Sequence, residues 1–113
     1  MDLLKVFEKT NLVVPIEQKD FFSFFEDTII ELTSSYGEKF VFSDESYAFM
    51  PPENLEAQIP VLPLYVKAIT ENIIFLAGAG DNHKGEFIRL AKDAYISYWK
   101  DDAKGRKVKR NRW

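Results

Sequence analysis

Residues 62–99, LPLYVKAITENIIFLAGAGDNHKGEFIRLAKDAYISYW, decide the fold. Val66, Ile69, Ile73 and Leu76 recur at spacings of three and four. Phe87, Leu90 or Ala91, Ala94 or Tyr95, and Tyr98 do the same. Each set is the apolar stripe of a helix packed on one side. Pro63 opens the first arm. Gly78-Ala79-Gly80-Asp81-Asn82 interrupts the pattern, with Asp81 or Asn82 available to cap the second arm. A break this short makes the two arms antiparallel neighbours. Asn72 falls between Ile69 and Ile73 and is expected at the edge of their seam.

The N-terminal half supplies the cover. Asp2 can cap a short helix from Leu3 to about Lys9, ended by Thr10-Asn11. Pro15 suits the first turn of the next helix, from about Ile16 to Ser35. Phe22, Phe25, Ile29, Leu32 and Tyr36 form its stripe, widened by Phe21, Phe24 and Ile30. Glu26, Asp27 and Glu31 occupy the remaining surface, and Gly37 is a plausible left-handed cap. In KFVFSDESYAFM, residues 39–50, Phe40 to Phe42 and Tyr47 to Phe49 favour strand around a polar turn, which predicts a short β-hairpin. Pro51-Pro52 to Pro60 reads as a loop with one possible helical turn at Glu53 to Ala57.

The expected fold is therefore mainly α: a small bundle of three to four helices ending in a long antiparallel pair. Residues 1–102 form the domain, with a β-hairpin and loop insertion at about 39–60, and residues 103–113 form an extended basic C-terminal tail. A chain of 113 residues is one domain on length. Phe contributes ten residues, more than a small helical core needs, so part of this aromatic surface is expected to face a partner; a Phe-rich core is the other reading.

Charge is unevenly placed. Lys104, Arg106, Lys107, Lys109, Arg110 and Arg112 stand in residues 103–113 with no acid. The remaining nine Lys/Arg face 18 Asp/Glu in residues 1–102, leaving a body at −9. An acidic body with a basic end points to assembly or to a polyanion. The tail could contact nucleic-acid phosphates with Trp113 stacking on a base, or enter an acidic groove of a neighbouring subunit with Trp113 as its anchor. Having no helical stripe, it is expected to be disordered when alone.

Motifs for chemistry are sparse. There is no cysteine, which excludes disulfides and thiolate catalysis. His83, the single histidine, is expected exposed in a helix-initiating turn, with too few neighbours for a metal site. The pairs Glu26-Asp27 and Asp101-Asp102 are adjacent on helices and point in different directions, unlike paired catalytic carboxylates. Two acids near a helix C-terminus also oppose its dipole. Gly78-Ala79-Gly80 lacks the strand and Gly-Lys-Ser/Thr of a phosphate loop. The reading is a non-enzyme without cofactor or metal. No window has 18 uninterrupted apolar residues, so no spanning segment is expected.

Pro63, Tyr65, Ala68, the Gly80-Asp81 break, Phe87, Ala91 and Tyr95 carry a resemblance. The stretch from Pro60 onward resembles the C-terminal helical hairpin of tailed-bacteriophage head–tail connector proteins, the adaptor or head-completion family. The short first helix and the longer second one ending Tyr36-Gly37 are similar too. The resemblance implies a structural virion protein: an oligomeric ring, usually twelvefold, in the neck between portal and tail, through which DNA passes without specific binding. It implies that Lys104, Arg106, Lys107, Lys109, Arg110, Arg112 and Trp113 dock on the portal, that Glu26, Asp27 and Glu31 line the channel, and that Phe40, Phe42, Tyr47 and Phe49 meet a neighbouring subunit or a tail or stopper component. A hairpin and proline loop longer than in the simplest family members is a departure. The alternative is a small nucleic-acid-binding or regulatory protein anchored to phosphates by its basic tail.

Overall fold

A computed structural model describes residues 1–110, with side chains through Trp99. Five helices run in order: α1 Leu3–Val13, α2 Gln18–Tyr36, α3 Glu38–Val41, α4 Val66–Leu76 and α5 Asp81–Arg110. A 3₁₀ turn at Pro63–Tyr65 leads into α4. The fold is mainly helical, with 68% of the described residues in helix.

The helix α4 is the centre. Its sequence places Ala68, Ile69, Thr70, Asn72, Ile73 and Ile74 out of solvent, and α1, α2 and α5 all pack against it. The antiparallel partner is α5, through Phe87, Ala91 and Ala94. Gly78 and Gly80 adopt φ +98° and +127°, a region closed to most side chains, and so make the turn between them. From α2, Phe21, Phe25, Ile29 and Leu32 enter the core; Leu3 and Val6 come from α1. The buried face of α2 begins at Phe21 rather than Phe22, which is only half-buried and edges against the Phe21 ring.

Asp2 caps α1 by accepting from the Lys5 N–H at 3.2 Å. This helix passes through Thr10-Asn11 to Val13 because Thr10 turns inward and donates its hydroxyl to the Val6 carbonyl at 2.9 Å. A threonine satisfied in this way does not break a helix.

Three expectations need correction. Among the described residues there are five helices rather than three or four. No β-hairpin forms, and no strand occurs among the described residues. Phe40 and Val41 belong to α3, while Phe42 makes an isolated antiparallel bridge to Val61 in the proline loop. Leu62 N–H donates to the Val41 carbonyl and Ser43 N–H to the Pro60 carbonyl, each at 2.8 Å. The extended partner is thus the loop, which holds the segment to the core through buried Ile59 and Val61. A two-stranded hairpin has little stability alone, and docking these apolar residues individually removes more surface from water.

The third correction concerns the basic end. It is not an extended tail, since α5 continues in one helix to Arg110. Lys, Arg and Ala are strong helix formers, and extending an existing helix costs far less than starting one. An apolar stripe was the wrong requirement. The extension also relieves the conflict at Asp101-Asp102: these acids lie within α5, and Lys107, Lys109 and Arg110 occupy its negative end. Arg112 and Trp113 lie outside the described residues.

Candidate interaction surfaces

A polar cluster ties three helices together. Asn72, 1% exposed, donates from Nδ2 to Thr28 Oγ1 at 2.8 Å. Thr28 in turn donates to the Phe24 carbonyl at 2.7 Å. Lys84 Nζ donates to Asn72 Oδ1 at 3.1 Å and to both Glu31 carboxylate oxygens, at 2.8 and 2.7 Å. Those three acceptors match the three protons of an ammonium group. The same Nζ lies 4.7 Å from the Phe87 ring centroid and 5.6 Å from that of Phe75. Such a site suits a cation held in place. Its chemistry is that of a clamp: α2 supplies Thr28 and Glu31, α4 supplies Asn72, and α5 supplies Lys84. Asn72 sits on the buried face of α4, not at its edge.

His83 is the neighbouring surprise. It is not the exposed turn residue expected from sequence: Nδ1 lies 2.6 Å from Glu71 Oε2, and both side chains are about one fifth exposed. This pair is a second polar link between α5 and α4. Among the described residues, no group of three metal-capable side chains comes together.

At the far end of the α4–α5 pair lies an aromatic cluster. Tyr36 lies tilted against Tyr65 and Tyr95, and Phe40 meets Tyr95, Tyr98 and Trp99 at centroid distances of 5.5, 5.4 and 5.2 Å. Tyr65 is 0% exposed, and its hydroxyl has no hydrogen-bond partner among the described residues. Burial, followed by the nearby Tyr36, Tyr95 and Tyr98 phenols, pushes the Tyr65 pKa up to about 12. Tyr36 is raised as well, by burial and then by Tyr95.

The residues singled out for assembly are placed as follows. Phe42 is 3% exposed and packs on Tyr47 and Phe49, which are half-buried against the core. Phe40 is half-buried in the aromatic cluster. Much of this Phe surface therefore serves the chain's own fold. On α2, Asp27 is exposed and Glu26 half-buried, neither in an ion pair among the described residues, whereas Glu31 is held by Lys84. Lys104, Arg106, Lys107, Lys109 and Arg110 lie on the last turns of α5, in the segment whose backbone alone is described. Acidic body and basic end are thus carried by one continuous rod.

Sequence reasoning missed the Thr28–Asn72–Lys84–Glu31 cluster. An asparagine interrupting an apolar stripe was its only local signal; the partners lie 44 and 53 residues apart.

Several apolar side chains remain on the surface. Leu12 and Val13 end α1, Ile30 projects from α2, and Ile88, Ile96 and Trp99 stand on α5. No described helix is long and apolar enough to cross a membrane. No protein-family model, curated protein or solved structure matches the chain.

Proposed function

We propose that this protein is a structural component of a bacteriophage neck, an adaptor that forms a ring, twelvefold in the simplest version, between portal and tail. The resemblance of residues 60–99 to head–tail connector proteins motivates the family. The observation that carries the mechanism is the mismatch between α4 and α5. With 11 residues α4 spans about 16 Å, while α5 with 30 spans about 45 Å at 1.5 Å per residue. After Trp99, α5 continues for eleven residues in which Lys and Arg dominate. In this role the body at −9 associates with copies of itself, and the basic end of α5 reaches a negatively charged surface on the portal. An acidic lumen lets DNA slide past without being held.

Electron microscopy of the purified protein, alone and mixed with its portal, tests this role. Discrete rings, with portal association lost on deleting residues 104–113, are expected. A strict monomer that ignores the portal refutes it.

A second reading has its own observation. The basic residues up to Arg110 share one helix, a form that can lie along a phosphate backbone. DNA binding with a steep salt dependence, abolished by the same deletion, would select a nucleic-acid-binding protein instead.

A further inference from the structure

The surface of α4 facing away from α2 forms a groove of about 430 Å³ with α1. Val13, Val66 and Ile74 give it an apolar floor; Lys9 and Lys67 stand at its walls with Thr70 and with Glu71, whose carboxylate is turned to His83 Nδ1 at 2.6 Å. Neither lysine makes an ion pair among the described residues. With Glu71 engaged by His83, the two lysines set the charge of the walls, and such a groove calls for an apolar knob between acids.

This chain carries such a knob. Ile30 projects from α2, 51% exposed, and Glu26 and Asp27 stand beside it one turn earlier. Those two acids are likewise without an ion-pair partner among the described residues. We propose that the α1–α4 groove receives the Glu26–Asp27–Ile30 face of α2 from a second copy of the chain. The inference rests on the self-association in the function proposed above and names the two surfaces that make it.

Helix geometry decides what kind of association follows. Asn72 on α4 points at Thr28 on α2, as their 2.8 Å hydrogen bond shows. At about 100° per residue, Val66, Lys67 and Ile74 lie within about 60° of the direction opposite Asn72. By the same count, Glu26, Asp27 and Ile30 fall on the half of α2 turned away from Thr28. Knob and groove are therefore on opposite sides of the α2–α4 layer. One chain cannot fill its own groove, and two chains cannot satisfy both surfaces by a twofold exchange. The contact is head to tail, the kind that closes into a ring or grows into a filament. Burial of Ile30 on the apolar floor supplies the attraction, and the charges at the walls set its register.

The test uses charge reversal in the full chain, with oligomeric state read by sedimentation velocity and mass photometry, and folding checked by circular dichroism. The groove variant is K9E/K67E and the knob variant is E26K/D27K. Each is expected to weaken self-association at least about tenfold, since like charges then meet across the contact. Mixed together, the two variants match the intact knob of one with the intact groove of the other and the reversed knob with the reversed groove, so assembly returns as alternating oligomers larger than one-to-one pairs. The variant carrying all four changes restores assembly through swapped charges. If the wild type assembles and both double variants assemble equally well, the proposed pairing is wrong while the ring stands. If the wild type stays monomeric, alone and with the portal, the ring itself fails and takes this contact with it. A mixture that does not pair overturns the contact, and one that stops at closed one-to-one pairs overturns the head-to-tail geometry.

Discussion

Replacing Asn72 by Ala probes the clamp at its most enclosed point. The change removes the Nδ2–Thr28 Oγ1 bond, a buried neutral pair worth about 1 kcal/mol. It also removes one of three acceptors from Lys84; because that ammonium is partly exposed and keeps Glu31, the loss is discounted to about 1 kcal/mol. The cavity left beside Thr28 at this buried position adds about 1 kcal/mol. The sum is about 3 kcal/mol. For a chain of this length, with an unfolding entropy of about 2.1 cal/mol/K per residue, the melting temperature falls by roughly 10–15 °C. Urea denaturation followed by circular dichroism measures the free energy, and a thermal scan the shift. Thr28→Val then closes a double-mutant cycle, with an expected coupling of about 1 kcal/mol. A loss below about 1 kcal/mol for Asn72→Ala, or no coupling to Thr28, would refute the claim that these side chains hold α2 against α4.

Three further predictions concern neighbouring features. Lys84→Met keeps the stem over Phe87 but removes the ion pair with Glu31, so its cost of about 1 kcal/mol should shrink in 1 M salt, as denaturation at two ionic strengths will show. The Tyr65 hydroxyl has no hydrogen-bond partner among the described residues, so Tyr65→Phe should be neutral or stabilising by about 1 kcal/mol. Because its folded pKa is raised to about 12 from 10.0, the unfolded chain loses the proton first. Stability is then full below pH 10 and falls as pH rises towards 12, a loss that Tyr65→Phe should reduce in alkaline unfolding curves. Finally, two glycines should respond with opposite signs: Gly85→Ala, in α5 with open space at the new Cβ, stabilises by about 0.5–1 kcal/mol, whereas Gly78→Ala, at φ +98°, destabilises by about 1–2 kcal/mol in the same melts.

Local signals fared well where one segment contains the whole cause. The α4–α5 hairpin needs only two apolar stripes and a glycine break, all within residues 62–99, and both helices lie there. The Asp2 cap and the end of α2 at Gly37 depend on neighbours a few residues away. Phe40 to Phe49 fared badly for the opposite reason. Its strand-forming residues favour pairing with each other, but Phe42 bridges Val61, and Phe40 turns into α3 to meet Tyr95, Tyr98 and Trp99. The helical state of the basic end carries no local signal because helix propagation is a property of the preceding turns, not of a stripe within the segment.

The amino-acid sequence alone determined the helical hairpin, the amphipathic α2 and the separation of an acidic body from a basic end, since periodicity and charge are written in neighbouring residues. Tertiary structure alone decided which polar groups meet. Asn72, Thr28, Lys84 and Glu31 become one cluster only when three helices close on each other, and Ile30 and the α1–α4 groove take opposite sides only once α2 and α4 have fixed their mutual rotation. Chain separations of 44 and 53 residues carry no local pattern; packing supplies it.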